Sequence, residues 1–284
     1  MPGHKADWIQ KALRSDADAI IVDLEDAVPE GSKELARRNA VDVISSAHEK
    51  TVLVRPNALD TPHFAADVLA VGRPGLDGMV LPKLYGRDDV VRFDVLLTAG
   101  EIANGADRGS IEVIPCLETA ASIHKVDEIL TAPRVVGIMA AAAKDGDVAR
   151  EVGFAWTEAG LETLYLRSKV VLAARAAGIR IIVLGLWQDV QNLDGLRRFA
   201  RSNAELGYTG QVLIHPSHAP IANEEFGLSH EKREYYVRLV AAFEAAKEAG
   251  DGAVSFEGEH IDLAHANHAR ELLKLNEVSE YGKE

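Results

Sequence analysis

Short apolar, β-branched runs recur along the chain at 19–23 (AIIVD), 52–55 (VLVR), 79–82 (MVLP), 111–116 (IEVIPC), 135–139 (VVGIM), 180–184 (RIIVL) and 211–215 (QVLIH). They are nearly continuous rather than alternating, the pattern of strands buried on both faces. Helix-like stretches lie between them at 30–46, 87–103, 119–130, 160–177 and 192–206. The alternation predicts repeated βα units on a parallel sheet, an α/β fold of the (β/α)8, TIM-barrel type, with an open doubly wound sheet as the alternative. Seven runs are one short of eight strands. A helix predicted over 5–15 opens the pattern with no strand before it, so the first strand is expected to be missing, shortened or supplied from elsewhere. A seam beside 19–23 and 211–215 would then invite covering by an oligomer neighbour or by the C-terminal tail.

After His215 the pattern changes. Residues 229–250 read as a long amphipathic helix with Tyr236, Leu239, Val240 and Phe243 on one face. The stretch GDGAVSFEGEHIDL reads as a Gly-rich turn leading into a last helix over 265–275. The expected organisation is a catalytic barrel over 1–225 and a helical extension over 226–284, acting as a lid or as an arm onto a neighbour.

The length of 284 residues accommodates one barrel. A net charge of −13 provides no basic footprint for nucleic acid or an anionic membrane. Any anion site must be local, built from a few cations or a metal. A single cysteine, Cys116, excludes an intramolecular disulfide and fits a reducing, cytoplasmic location. The first ten residues form no apolar signal region, and no apolar run approaches a membrane span.

In a barrel, chemistry gathers where strands end. The first run leads into Asp23, Glu25 and Asp26, the second into Arg55 and Asn57, the third into Lys83, and the fourth into Glu118. The later runs lead to Lys144, Asp145 and Asp147, to Gln188 and Asp189, and to His215. Polar loops alone explain part of this. Charges within or directly after apolar runs are costly to bury unpaired, however. Two carboxylates and an arginine at one rim suit a hard cation that binds an oxyacid, or an ion-pair network that closes the barrel. His265 and His268 are spaced for a helix-borne metal site or a solvated face. Cys116 reads as core, and His4 and Lys5 are candidates for a phosphate at a helix N-terminus.

The stretches VDLEDAVPEGSKELAR, VRPNALDTPHF, GLDGMVLPK, the ETA of CLETA, NLDGLRRFARSNAELGYTGQVLIHP and VSFEGEHID occur in this order. With them the chain resembles the citrate lyase beta-subunit-like members of the HpcH/HpaI aldolase/citrate lyase superfamily. The resemblance implies a TIM barrel, a homo-oligomer (trimer or hexamer), bound Mg2+, and lysis or formation of β-hydroxyacyl thioesters such as malyl-CoA, citramalyl-CoA or citryl thioesters. Substrates are then an acyl-CoA and a short 2-oxo acid. By the same resemblance, Glu118 and Asp147 are the metal ligands and Arg55 the substrate-binding arginine. Glu25 and Asp26 form a catalytic acidic pair, and Asp262 is an acid–base group acting in some members on a neighbouring subunit's site; Lys83, from its place after a strand alone, is a partner for a rim carboxylate or a substrate-binding residue. Departures are the chain start at Met1-Pro2-Gly3, a long metal loop in which Asp145 rivals Asp147, and Asn192 three residues after Asp189. The alternative readings are a malyl-CoA-type thioesterase, a citrate lyase beta-like subunit, and a barrel without catalysis that serves binding or assembly.

Overall fold

The computed structural model describes residues 1–46, 48–140 and 143–281, with 275–281 described by backbone alone. The chain forms two compact units, Met1–Ala222 and Asn223–Glu284.

The first unit holds a seven-stranded parallel sheet in sequential order, with β1 (Ala19–Asp23), β2 (Thr51–Arg55), β3 (Gly78–Leu81), β4 (Glu112–Leu117), β5 (Gly137–Ala140), β6 (Ile181–Leu184) and β7 (Gly210–Gln211). Helices α1 (Ala6–Leu13), α2 (Lys33–Ile44), α3 (Phe64–Val71), α4 (Arg87–Asn104), α5 (Ala120–His124), α6 (Val126–Ile129), α7 (Asp147–Val152), α8 (Leu164–Ala176), α9 (Leu193–Leu206) and α10 (Ala219–Phe226) are interspersed, and the boundary between units falls within α10. One apolar cluster joins Leu53, Val80, Ile114, Cys116 and Met139, with Ile21 and Val212 packed against it. A flat sheet would hold its first and last strands on the order of 29 Å apart at ~4.8 Å per strand. Their side chains reach one cluster because the sheet is curled.

The position before β1 is held by the first residues of the chain. Pro2 forms an isolated parallel bridge to Asp23, and the Gly3 N–H donates to the Asp23 carbonyl at 2.7 Å. A Cβ on Gly3 would lie 2.9 Å from that carbonyl oxygen and 3.0 Å from the Ala36 Cβ. Only glycine allows this approach.

Several predicted elements differ in extent. The stretch 119–130 is two short helices, α5 and α6, meeting at Lys125, and 30–46 opens with a 3-10 turn at Glu30–Ser32 before α2. The seventh run forms ladder pairs only at Gly210 and Gln211; the Val212 N–H still reaches the Leu184 carbonyl, and the chain then turns into a 3-10 segment at Pro216–His218. Pro216 has no N–H to continue a ladder. Ala141 and Ala142, in the predicted metal loop, lie outside the described residues.

In the second unit, α11 (His230–Glu248) and α12 (Leu263–Tyr281) enclose an antiparallel hairpin of β8 (Ala253–Phe256) and β9 (Glu259–Asp262). The predicted Gly-rich turn is therefore two strands. Their connection is Glu257 (φ 48°) and Gly258 (φ 88°), both left-handed, as a two-residue type I′ turn requires. Leu239 and Phe243 of α11 are buried with Ile261, Ala266 and Ala269, and Tyr236 and Val240 pack beside them. This is the apolar face read from the sequence. Burial of side chains of this size contributes about 1.5–3 kcal/mol each.

Candidate active site

The ends of β1, β2, β3 and β4 bring a set of charged groups together. Asp23 and Arg55 are ladder partners. Arg55 donates from Nε to Asp23 Oδ1 at 2.7 Å and from Nη2 to Oδ2 at 2.8 Å. Its Nη1 lies 3.4 Å from Glu25 Oε2. Burial works against the Asp23 carboxylate, but Arg55 overrides it and holds the group below its usual range. Burial likewise opposes the Arg55 charge, and Asp23 and Glu25 more than offset it.

Glu25 is 3% exposed. Its Oε1 lies 3.0 Å from Lys83 Nζ. Both Glu25 contacts are ion pairs that lack hydrogen-bond geometry. Burial pushes its carboxyl up to about 7, with Arg55 opposing and Glu118 adding to the rise. Asp26 is more open and holds the same ammonium at 2.9 and 3.0 Å.

The loop carrying Glu25 is fixed from beneath. Buried Lys33 donates to the carbonyls of Leu24 and Glu25, both at 2.8 Å, and to Asn57 Oδ1 at 2.6 Å. Asn57 in turn donates from its side chain to Asp67, which also pairs with Arg37 at 3.0 Å. Three acceptors on one ammonium satisfy a lysine that could not otherwise be buried.

Glu118 follows β4 and is 5% exposed. Its Oε1 accepts the Lys83 backbone N–H at 2.7 Å, and Oε2 lies 3.7 Å from the Cys116 thiol. Lys83 reaches it through a left-handed backbone, φ 50°. Burial raises the Glu118 carboxyl, and the nearby charge of Asp147 raises it further. Asp147 opens α7 and pairs with exposed Arg150 at 2.6 Å. Its rival Asp145 occupies the preceding turn in a left-handed conformation, φ 53°.

The rim beyond β6 and β7 serves local structure. Asp189 accepts the N–H groups of Gln191 and Asn192, Asn192 caps α9, and His215 accepts the Ser217 N–H.

In the second unit, Asp262 accepts the Ala264 N–H at 2.9 Å and lies 2.6 Å from His265 Nδ1. The His265 hydrogen bond lowers its carboxyl. His265, read as one of an i,i+3 pair with His268, thus pairs with Asp262 instead, three residues before it. Among the described residues no group of three or more His, Cys, Asp or Glu side chains is arranged to hold a metal.

Of the expected site residues, the structure gathers Glu25, Asp26, Arg55, Lys83 and Glu118, with Asp147 close enough to act on Glu118. Asp262 belongs to the other unit. Sequence reasoning set Asp23 at one rim with Arg55 and Glu118 but did not foresee its two-point grip on Arg55, and it left Lys33 and Asp67 without roles.

The family model for HpcH/HpaI aldolase/citrate lyase matches residues 1–216. The chain is 36% identical over 282 residues to a citrate lyase subunit beta-like protein of Deinococcus radiodurans, covering 96% of this chain and 94% of that one. It is 34% identical over 301 residues to an L-malyl-CoA/beta-methylmalyl-CoA lyase of Cereibacter sphaeroides, covering 98% and 93%. The structure of CitE from Mycobacterium tuberculosis in complex with magnesium, acetoacetate and coenzyme A superposes with a TM-score of 0.77 at 28% identity, covering 97% of this chain and 96% of that one. The chain belongs to the HpcH/HpaI aldolase/citrate lyase family. It is a carbon–carbon lyase of the citrate lyase beta-like, CoA ester lyase kind.

The donor set fits the magnesium of that relative. Glu118 and Asp147 are hard oxygen donors whose mutual repulsion a cation would relieve, and Mg2+ is held by one or two carboxylates while keeping several waters. Among the described residues no helix is long and apolar enough to cross a membrane.

Proposed function

We propose that this lyase cleaves, and in reverse forms, a β-hydroxyacyl-CoA of the malyl-CoA or citramalyl-CoA type, yielding an acyl-CoA and a short 2-oxo acid, with Mg2+ at Glu118 and Asp147. The observation that carries the reading is the meeting of a clamped Arg55 with buried Glu118, itself coupled to Asp147, at one end of the sheet. The likeness to a malyl-CoA lyase and to a magnesium- and CoA-bound relative supports the substrate class.

In the cleavage direction the hydroxyl loses its proton. The bond between the hydroxyl-bearing carbon and the thioester α-carbon breaks, its electron pair becomes the enolate, and a proton is added to that α-carbon. The chemistry that magnesium supplies when bound is positive charge at the hydroxy-carboxylate end. Arg55 has Nε and Nη2 committed to Asp23, so Nη1 is the donor that meets charge developing on the thioester oxygen. Glu25, poised at about 7, accepts the hydroxyl proton. Lys83, held by Glu25 and Asp26, adds positive charge beside the substrate carboxylate.

Asp262 is the carboxylate that exchanges the proton of the acyl α-carbon. The assembly that fits this is a cytoplasmic homo-oligomer, trimer or hexamer. Its barrel is of the (β/α)8 type, with residues 1–3 standing where a first strand would.

The test is product identity. Purified protein with Mg2+ and malyl-CoA or citramalyl-CoA should release acetyl-CoA and glyoxylate or pyruvate in equal amounts. Free CoA with intact hydroxydicarboxylic acid would establish a thioesterase instead. Neither product from a panel of such thioesters, with metal bound, would leave the barrel as a binding or assembly subunit.

A further inference from the structure

Besides Asp23, which Arg55 holds, four carboxylates follow the strand ends: Glu25, Asp26, Glu118 and Asp147. A divalent cation placed among four carboxylates would take more than two of them. The structure divides them by where its fixed cations stand. Both oxygens of Glu25 have a cationic neighbour, Lys83 Nζ at 3.0 Å and Arg55 Nη1 at 3.4 Å. Both oxygens of Asp26 lie 2.9–3.0 Å from the same Lys83 ammonium. Glu118 forms no ion pair among the described residues; it takes the Lys83 backbone N–H at 2.7 Å and faces a thiol. Among the described residues Asp147 is ion-paired only with exposed Arg150, its i,i+3 neighbour, a kind of pair that contributes little.

We propose that Lys83 sets the metal specificity of the site, by holding Glu25 and Asp26 in ion pairs so that Glu118 and Asp147 alone remain to bind a cation. The inference rests on the reading of Glu118 and Asp147 as the metal ligands.

One residue does both jobs. At the end of β3 the left-handed turn of Lys83 aims its N–H at Glu118, and the side chain spans to the carboxylates that follow β1. Two carboxylates and a remainder of water suit Mg2+, whereas Ca2+ takes six to eight oxygen ligands and binds more tightly as carboxylates are added. The lysine thereby disfavours Ca2+ without touching the cation.

The experiment is calorimetric titration of metal-free protein with Mg2+ and Ca2+ at pH 8, with no substrate. Lys83→Met keeps a Cβ and the same backbone demand while removing the charge. It should tighten Ca2+ binding by about tenfold or more, as added carboxylate ligands do, with a smaller gain for Mg2+. Lys83→Arg should retain the wild-type preference. Adding Glu25→Gln and Asp26→Asn to Lys83→Met should abolish the gain. Unchanged Ca2+ affinity in folded Lys83→Met, or a gain that survives loss of both carboxylates, would overturn the inference. Glu118→Gln in the wild-type background separates the two readings. If it leaves Mg2+ affinity unchanged, the ligand assignment itself fails; if it abolishes binding while Lys83→Met changes nothing, only the role of Lys83 fails.

Discussion

Asp23 and Arg55 are register partners on adjacent parallel strands, and the carboxylate grips the guanidinium with two hydrogen bonds of 2.7 and 2.8 Å. This pair spends two of the guanidinium nitrogens on orientation and leaves the third, Nη1, at the mouth near Glu25. Asp23→Asn cannot reproduce a charged two-point grip. We expect kcat/KM to fall by about a hundredfold, the cost of roughly ångström-scale misplacement. Steady-state kinetics beside a folded-state check by circular dichroism measures it; wild-type kinetics in Asp23→Asn would remove the orienting role.

Glu25 should impose a pH dependence on stability. Its carboxyl is raised from 4.5 to about 7 by burial, so between these values the native protein holds a proton that the unfolded chain has lost. Native stability therefore falls as pH rises through that window, by an amount on the order of 3 kcal/mol in full. Glu25→Gln lacks this slope. Urea denaturation in EDTA should show the variant gaining on wild type from pH 5 to pH 8; a constant difference would contradict the raised value.

Glu101 works in the opposite sense and away from the mouth. It is fully buried, pairs with Arg134 at 2.5 Å, and accepts the N–H groups of Gly109 and Ile111 at 2.9 and 3.1 Å. Burial opposes its charge, and these partners prevail, holding the carboxyl below its ordinary value of 4.5. Its stabilisation is complete above that value and is lost as pH falls through the lowered one. Glu101→Gln at pH 7 should lose about 3–5 kcal/mol, and the gap to wild type should close in acid. A gap that does not narrow below pH 4 would rule out the ionised pair as its source.

The strands were legible because parallel strands covered by helices are apolar on both faces, as the fully buried β3 and β5 are. Arg55 and Glu118 stood out as charges at the ends of such runs. The hairpin β8–β9 was not legible. Among its side chains only Ile261 is buried, so there is no apolar run to read, and its turn uses Glu257-Gly258 in place of an asparagine–glycine signal. Helices α3, α7 and α10 have six to eight residues, too few turns to establish a period. The grip of Asp23 on Arg55 depends on register, and the support of Glu25 by Lys33 depends on two chain segments meeting, which spacing along one chain does not encode.

Asp262 and Glu118 should separate chemistry from metal binding. Asp262→Asn removes a carboxylate that exchanges protons and leaves Glu118 and Asp147 in place. Mg2+ affinity should be unchanged while turnover falls by about 10²-fold or more. Loss of Mg2+ binding in Asp262→Asn would make this residue a ligand and not a proton carrier.

The central claim is carbon–carbon cleavage that depends on a cation held by Glu118. Its most direct measurement is the initial rate of 2-oxo acid release from malyl-CoA and citramalyl-CoA, for wild type and Glu118→Gln, across a Mg2+ titration that starts in EDTA. The account predicts no glyoxylate or pyruvate in EDTA, release that rises with Mg2+ in wild type, and none in folded Glu118→Gln at Mg2+ concentrations that saturate wild type. Release that persists in EDTA, or a Glu118→Gln variant as active as wild type at the same Mg2+, would contradict it.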